Sequence, residues 1–432
     1  MKKSGGSGID TTDATATPQD LLEDTTAYVN GKKITGTIPY VSQAIPNIAF
    51  SDATVLVTAE QESGYTLGGI KTVSAAFPEG YIQPSDTLNI DKNGTYDVGS
   101  YASAAVNVEG GGGISIDDIA GGAPTGSIFG MASRIAEYAF YHKSLTTANF
   151  PSATSIGASA FGYCTALTSV SFPAATSIGY NAFANCLSLT TVSFPVCTFI
   201  GVNAFCDCLS LTTISFPACT YIGDGAFGSC KALTTASVPS CSYIGSYAFE
   251  YCSRFTTASF PSCSYIGSYA FGYCSSLTTA NFLACTDIDA SAFYNCKALT
   301  TASFPSCSYI GGYAFANCFS LTTVSFPSCM TIRAYAFSYC TALTTASFPV
   351  VKSIYQQAFR NCTRLTELHL EGVSSVPLLS GTSHFLSTPI GGYSNTAGRY
   401  GSVFVPASLY ESFLTATNWS SIASRIVSVP AE

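Results

Sequence analysis

Charged side chains are scarce in this chain of 432 residues. Asp, Glu, Lys and Arg make up 10% of it, against about a quarter in ordinary soluble domains. The net charge of −8 comes without a basic cluster that could follow a phosphate backbone, so we expect no nucleic-acid binding. No segment reaches the ~20 consecutive apolar residues of a membrane span, so we expect no membrane insertion.

Signals for export and catalysis are also missing from the sequence. Two lysines, Gly and Ser follow Met1, without an apolar run of signal-peptide length, so we do not expect secretion. The three histidines, His142, His369 and His384, have no recurring acid or nucleophile as a partner. There is no phosphate loop, nucleophile elbow or metal-binding motif. We therefore expect no enzyme activity, no cofactor and no metal.

A block that begins Ala-Phe recurs every 22 residues, apart from one first step of 21. A fixed period of this size is the signature of a solenoid, in which each repeat adds one coil to a stack. The phenylalanines of this block are Phe140, Phe161, Phe183, Phe205, Phe227, Phe249, Phe271, Phe293, Phe315, Phe337 and Phe359.

One coil can be followed through residues 189–208. Val192 and Phe194 alternate with polar residues, which predicts a short strand that ends at Pro195. Ile200-Gly201 is predicted to turn the chain, and residues 203–208 to form a short helical or 3₁₀ segment. The side chains predicted to point inward are Leu189, Val192, Phe194, Cys197, Ile200, Ala204, Phe205 and Cys208.

Most of the 18 cysteines follow the repeat. Ten lie three residues after the repeat phenylalanine, from Cys164 to Cys362, and seven form a second column from Cys197 to Cys329. Cysteines in phase with a repeat are predicted to be small apolar core residues. A disulfide framework is the alternative, although it is more typical of short secreted chains. Cys206 lies outside both columns, and with Cys208 it lacks the further ligands that zinc needs.

The repeat resembles the bacterial leucine-rich repeats of the BspA type, whose units read roughly I-G-x-x-A-F-x-x-C-x-x-L-x-x-V-x-F-P. The resemblance runs from Ile135 to about Leu370. It implies a curved array of about eleven 22-residue coils, with a parallel sheet on one side and short helical or 3₁₀ turns on the other. It also implies adhesion or partner binding as the class of function.

The sequence before the repeats differs from them in character. Residues 26–38 are predicted to form a hairpin that turns at Asn30-Gly31, and residues 87–108 a second one that turns at Asn93-Gly94. Residues 13–38 and 89–108 resemble N-terminal modules of phage and prophage tail-fibre proteins. This resemblance implies attachment to other virion proteins. We therefore divide the chain into a mostly-β attachment region (1–113, ending in a Gly linker), a solenoid (114–370) and a C-terminal cap (371–432).

The predicted cap begins where the period breaks. Residues 403–406 are predicted to form a strand and residues 407–417 a helix with Leu409 and Phe413 on one face. Trp419, the only tryptophan, is expected to pack in the core of the cap, with ligand binding as the alternative.

Two sets of side chains are candidates for a binding surface. Outward Thr and Ser residues form ladders along the predicted strands, and they indicate either a solvated face, a sugar- or protein-binding face, or an ice-binding face. Tyrosines spaced four residues apart would share one face of a helical segment and suit recognition of glycans or proteins. The candidate residues are Thr191, Ser193, Thr213, Ser215, Thr235, Ser237, Thr257, Ser259, Tyr243, Tyr247, Tyr251, Tyr265, Tyr269, Tyr273, Tyr309 and Tyr313.

These observations favour a virion protein, a phage tail fibre or receptor-binding component assembled in the bacterial cytoplasm. Its solenoid would bind a bacterial surface glycan or protein, and its N-terminal region would bind other virion proteins. A bacterial cell-surface adhesin is the alternative. A homotrimer is possible for a fibre, although no heptad repeat specifies one.

Overall fold

The computed structural model describes residues 126–130, 132–392 and 400–430, together with seven short strands before residue 115. The repeats form a parallel β-solenoid in which each coil contributes two short strands to two sides of the stack. The predicted fold class, a leucine-rich-repeat solenoid with a helix-containing C-terminal cap, is confirmed.

The first strand of each coil, here called the Thr/Ser strand, carries the predicted alternation of buried and outward residues. These strands pair in parallel, in sheets of five, three and eight strands that begin with Thr87–Ile90 and Ser103–Val106. Within the repeats they are Gly126–Gly130, Leu145–Asn149, Ser169–Ser171, Thr191–Ser193, Thr213–Ser215, Thr235–Ser237, Thr257–Ser259, Thr279–Asn281, Thr301–Ser303, Thr323–Ser325, Thr345–Ser347 and Glu367–His369.

A second strand, here called the Ile strand, lies where only a turn was predicted. Phe199 and Ile200 pair in parallel with their counterparts in both neighbouring coils. The Ile strands form one sheet of 13 strands, so it extends one strand beyond the eleven phenylalanine-containing coils at each end. They are Gly113–Ile114, Arg134–Ile135, Ser155–Ile156, Ser177–Ile178, Phe199–Ile200, Tyr221–Ile222, Tyr243–Ile244, Tyr265–Ile266, Asp287–Ile288, Tyr309–Ile310, Thr331–Ile332, Ser353–Tyr355 and Leu378–Ser380.

The segment around the repeat phenylalanine is a series of turns, so the prediction of a helix over residues 203–208 is wrong. The N–H of Ala204 donates to Gly201 O (3.3 Å) in a 3₁₀-like turn, but the N–H of Phe205 donates to Ala226 O of the next coil (2.7 Å). Asn203 and Asp207 have left-handed φ angles of 54° and 58°. Each coil therefore closes by alternating bonds within the coil and bonds to its neighbour.

Two positions in every coil have this left-handed backbone, one two residues before the repeat phenylalanine and one two residues after it. The first left-handed column is Tyr138, Ser159, Asn181, Asn203, Gly225, Tyr247, Tyr269, Ser291, Tyr313, Tyr335 and Gln357. The second left-handed column is His142, Tyr163, Asn185, Asp207, Ser229, Tyr251, Tyr273, Asn295, Asn317, Tyr339 and Asn361. Gly, Asn, Asp and Ser suit such positions, whereas tyrosine is less usual there.

All eight side chains predicted to point inward in residues 189–208 are buried. The repeat phenylalanines stack along the solenoid, for example Phe205 on Phe183 with ring centroids 5.1 Å apart. A parallel stack comes from the phenylalanines of the Thr/Ser strands, and Phe194 and Phe205 meet edge to face at 6.2 Å. Such offset and edge-to-face contacts stabilise the core beyond the area that they bury.

The two cysteine columns lie in this core, as predicted. The thiol of Cys208 donates to Phe183 O of the preceding coil (3.2 Å), and the thiol of Cys197 donates to Phe199 O (3.3 Å). Burial raises the pKa of the Cys197 thiol to about 11 and that of Cys219 to about 12. All 18 cysteines are free thiols.

Further hydroxyl ladders run beside both sets of strands. Thr212 donates its hydroxyl to Thr190 O, 22 residues earlier, at 3.1 Å. Beside the Ile strands, Thr198 donates to Thr176 O (3.2 Å) in the same way. Because these hydroxyls bind backbone carbonyls of the preceding coil, their role is to hold neighbouring coils together.

The C-terminal cap contains the predicted strand and helix, with more structure around them. It comprises the strand Ser402–Pro406, the 3₁₀ segment Ala407–Leu409, the α-helix Tyr410–Thr415, the 3₁₀ segment Ser420–Arg425 and the strand Ile426–Val429. Trp419 is fully buried against Phe413 and donates its indole N–H to Pro377 O (2.8 Å). The prediction that Trp419 packs in the core is confirmed.

The first N-terminal hairpin is confirmed and the second is wrong. Strands Thr26–Val29 and Lys32–Gly36 pair antiparallel with Asn30 and Gly31 between them, in a sheet with Gly8–Asp10 and Val57–Thr58. Strands Thr87–Ile90 and Ser103–Val106 pair in parallel instead. The intervening residues have the length of a crossover connection, which parallel strands require. Asn93-Gly94 itself lies outside the described residues.

Candidate binding surface

The candidate Thr and Ser residues lie in register on the outward side of the Thr/Ser strands. Thr191 pairs with Thr213 and Ser193 with Ser215, and the pattern continues along the array. All eight are exposed except the half-buried Ser215. The structure therefore brings these candidates together into two continuous rows, which we call the Thr/Ser face.

The hydroxyls of the Thr/Ser face differ from those of the neighbouring Thr212 ladder. Among the residues that the structure describes, Thr345 is the one threonine of this row from Thr191 to Thr345 whose hydroxyl donates to a protein acceptor, Glu367 Oε2 (3.2 Å). The Thr212 ladder, by contrast, is bonded to backbone carbonyls in nearly every coil. The face therefore presents hydrogen-bonding capacity that its own coils leave unused.

The face changes character at its C-terminal end. Glu367 and His369 take the positions held by Thr345 and Ser347 in the preceding coil. His369 lies with Nδ1 2.6 Å from Glu371 Oε1 and Nε2 3.5 Å from Glu367 Oε2. Its ring stacks on Phe404, with centroids 4.7 Å apart. A charged pair therefore ends the neutral hydroxyl rows.

The tyrosines do not share one helical face, because the segment that carries them is not helical. Tyr243, Tyr265 and Tyr309 belong to the Ile strands, whereas Tyr247, Tyr269 and Tyr313 are in the first left-handed column. Tyr251 and Tyr273 are in the second. The four-residue spacing thus distributes the side chains over separate columns, away from the Thr/Ser strands.

The tyrosines of the Ile strands form a stack that the sequence analysis saw only in part. It begins at Phe199 and continues through Tyr221, Tyr243 and Tyr265 with centroids 4.8–5.0 Å apart. Tyr265 donates its hydroxyl to Asp289 Oδ2 (3.1 Å). Burial, and then the negative charge of Asp289, raise the pKa of Tyr265 to about 12. This hydroxyl already has a partner within the protein.

The left-handed columns hold shorter stacks. Tyr247 stacks on Tyr269 (5.5 Å), Tyr251 on Tyr273 (4.6 Å) and Tyr313 on Tyr335 (4.6 Å). Stacking along the solenoid covers the ring faces inside each stack, so the hydroxyl edges and the outermost faces remain available to a ligand. Tyr335, Tyr339, Glu250 and Tyr294 belong to the same surface but were not predicted. Their recurrence at the repeat period could have identified the two tyrosines.

Other kinds of site are absent from the parts of the chain that the structure describes. There, no three His, Cys, Asp or Glu side chains group together in a way that could hold a metal ion. Within the same residues, no helix combines the length and apolar character needed to cross a bilayer. The surface therefore offers hydroxyl and aromatic groups for recognition.

The repeat sequence matches the profile of a known family. The profile is described as a BspA type leucine rich repeat region and matches in six copies, over residues 133–256, 198–309 and 286–377. Together these segments cover more than half of the chain. No curated protein has a matching sequence.

Solved structures with a similar chain path include three bacterial proteins. A leucine-rich repeat protein from Bacteroides ovatus is 22% identical, covers 82% of this chain and 100% of its own, with a TM-score of 0.39. A leucine rich cell surface protein from Faecalibacterium prausnitzii is 21% identical, with coverages of 81% and 99% and a TM-score of 0.36. The pneumococcal vaccine antigen PcpA is 17% identical, with coverages of 95% and 99% and a TM-score of 0.34.

Proposed function

Because the chain belongs to the BspA-type leucine-rich repeat family, we propose that it is a non-enzymatic binding protein whose solenoid recognises a bacterial cell surface. Leucine-rich repeat proteins are typically binding proteins, since stacked coils create an extended surface. One observation carries the proposal: in the Thr/Ser face the hydroxyls recur in register and lack partners among the described residues, while the adjacent ladder is bonded internally.

The partner that suits this face is a surface glycan or a polar protein. A neutral row of hydroxyls can donate and accept hydrogen bonds at the ~4.8 Å spacing of neighbouring strands. A polymer with regularly repeating polar groups can therefore contact several coils at once. Many weak contacts along one chain give avidity that no single coil has.

The setting that we propose is a phage tail fibre or receptor-binding component, assembled in the bacterial cytoplasm and carried on the virion. Its support is the resemblance of residues 13–38 and 89–108 to tail-fibre modules. In this setting the N-terminal region binds other virion proteins, and three copies assemble as in other fibres. A bacterial adhesin has the same support from the repeats but none from the N-terminal region.

Binding by the Thr/Ser face can be tested with the labelled full-length chain on a panel of bacterial strains. The variant Thr235→Glu/Thr257→Glu places two carboxylates on the face, and Ser240→Glu/Ser262→Glu places the same charge on the exposed turn after the strand. Strain-selective binding that the first variant loses and the second keeps supports the proposal. Equal binding by both variants, or no binding to any strain, contradicts it.

The setting needs a separate experiment. Antibodies to the chain are applied to purified phage particles from the source bacterium and to intact cells that release no particles. Labelling of the particle tail supports the fibre. Labelling of the outer surface of particle-free cells contradicts it and favours the adhesin.

A further inference from the structure

Two tyrosine stacks begin in the same coil, next to a coil that has no large side chains at the matching positions. Tyr247 and Tyr251 are the first rings of their stacks, and they are 46% and 43% exposed. In the preceding coil, the same two columns hold Gly225 and Ser229. The ring faces directed toward that coil are therefore not covered by a further stacked ring.

The opposite ends of the same stacks are covered by a ring of the protein itself. Tyr294 packs against Tyr269 and Tyr273, with centroids 6.1 Å and 5.4 Å apart, and both contacts are close to perpendicular. Tyr294 directly follows a repeat phenylalanine. The equivalent residue at the open ends is Gly228. The chain thus fills one gap with a tyrosine and leaves the other with a glycine floor.

A carboxylate lies on the far side of this open gap. Asp207 precedes Ser229 in the second left-handed column, and its Oδ2 accepts from the Cys206 thiol at 3.4 Å. Cys206 in turn lies against the glycine floor, since a Cβ built on Gly228 would be 3.7 Å from its Sγ. Burial, and then the charge of Asp207, raise the pKa of Cys206 to about 12, so this thiol stays neutral at pH 7.

A second carboxylate stands behind the rings. Glu250 lies between Tyr247 and Tyr251 in sequence, and its charge raises the pKa of Tyr273 and Cys274 in the next coil. Burial raises the pKa of Glu250 itself. Neither Asp207 nor Glu250 forms a salt bridge with any residue that the structure describes. The surroundings of the gap are therefore aromatic and negatively charged.

We propose that this gap, the tyrosine slot formed by Asp207, Gly225, Gly228, Ser229, Tyr247 and Tyr251, binds an N-methylated ammonium group. Aromatic faces attract organic cations through the ring quadrupole, and quaternary ammonium groups suit them because they are bulky and weakly hydrated. The nearby carboxylates strengthen the attraction and disfavour phosphate or sulfate groups. The inference rests on the proposed function, because it names the chemical group that this part of the binding surface takes.

The direct test is calorimetric titration of the full-length chain with choline, with ethanolamine and arginine methyl ester as comparison ligands. Choline carries the N-methyl groups, ethanolamine is the matched primary amine, and arginine methyl ester supplies a guanidinium. We expect choline to bind at millimolar concentration and more tightly than either comparison ligand. Because the titration needs no cells, it can fail while whole-cell binding succeeds, and the reverse also holds.

Variants that use residues already found in the same columns separate binding from folding. Tyr247→Ser and Tyr251→Asn should each weaken choline binding by about three- to tenfold, since each removes one cation–π contact. Ser and Asn occur naturally at these left-handed positions, as Ser291 and Asn295. Asp207→Asn should weaken binding by a similar factor of about three to ten.

A filled slot provides the sharpest variant. Gly228→Tyr supplies the ring that Tyr294 provides elsewhere, and the nearest atom to a Cβ there is Gly225 O at 3.2 Å. We expect this variant to fold with unchanged circular dichroism and to lose choline binding. Tyr313→Ser and Tyr339→Asn, which remove tyrosines from distant coils, should bind choline as the native chain does.

Three results overturn the proposal. They are an absence of choline binding at millimolar concentration, unchanged choline binding by folded Gly228→Tyr, and tighter binding of arginine methyl ester or ethanolamine than of choline. Thermal melting of every variant is recorded first. If Gly228→Tyr does not fold, the Tyr251→Asn variant and its Tyr339→Asn control decide the outcome.

Discussion

The Sγ atom of Cys274 lies 3.1 Å from the carbonyl oxygen of Phe249, to which its thiol donates across two neighbouring coils. The same contact recurs along the column, for example between Cys296 and Phe271 at 3.1 Å. Burial raises the pKa of both thiols. Since the thiolate is the reactive form, these cysteines are core residues with suppressed reactivity.

The first prediction concerns alkylation of these thiols. In the native chain at pH 8, iodoacetamide should modify Cys206 first, because it alone among the 18 cysteines is not fully buried. Modification should still be slow, since the pKa of Cys206 is raised to about 12. Mass spectrometry of digested protein gives the order of modification, with a denaturant-unfolded sample as control. Rapid native labelling of several column cysteines would show that the columns are accessible.

The second prediction compares a core charge with the loss of a whole coil. Phe271 stacks between Phe249 and Phe293, 5.2 Å from each, so Phe271→Asp buries a carboxylate without a partner. We expect it to destabilise the array by at least about 3–5 kcal/mol. Deletion of residues 278–299 keeps the register and should preserve the fold.

Thermal melting followed by circular dichroism tests both changes, with Ser262→Asp at an exposed position as the control for added charge. A deletion variant that aggregates while Phe271→Asp melts like the native chain would contradict the solenoid.

The third prediction concerns the left-handed positions. Asn317 has a φ of 62°, which a β-branched residue adopts only with strain. Asn317→Val should destabilise the protein by about 1–2 kcal/mol, whereas Asn317→Gly should change the stability little. Thr323→Val is the matched control, because it places valine on an exposed strand where it is favoured. Equal melting temperatures for the two valine variants would argue against the left-handed turn.

The fourth prediction follows from the contact between Tyr265 and Asp289. The pKa of Tyr265 is raised from 10.0 to about 12, so the native state retains a proton that the unfolded state loses in this range. The stability from this group is fully present below pH 10 and is lost as the pH rises to about 12. Ultraviolet titration of native protein against Tyr265→Phe should isolate this late-ionising phenol. Asp289→Asn should lower its pKa, and an unchanged titration in that variant would exclude the carboxylate as a cause.

Much of the coil could be predicted from the sequence, because a 22-residue period and a period-2 alternation each locate buried positions. They identified the inward set from Leu189 to Cys208. The Ile strand was not predicted, since a strand of two residues has no alternation to detect. Its partners are 22 residues away in each direction, so the pairing depends on stacking.

The tyrosine surface shows a different limit. Tyr247 and Tyr251 are four residues apart, which suggested a helix, but the alternating hydrogen bonds and left-handed residues set their directions. The mixture of Asn, Ser, Asp and Gly at the same columns was the available signal for a positive φ. The open gap beside the stacks could not be predicted, because it depends on which neighbouring coil supplies a ring.

The hydrogen bonds between coils also determine how the molecule responds to mechanical load. Thr212 reaches Thr190 and Phe205 reaches Ala226, so these bonds hold a coil only to its immediate neighbours. A force that pulls the chain ends apart therefore detaches coils in turn from an end of the stack, and the rest keeps its structure. Each detached coil of 22 residues lengthens the molecule by roughly 75 Å when fully extended. The resisting force is then set by one coil boundary, whatever the number of coils, and the chain can absorb a pull over a distance much greater than its folded length.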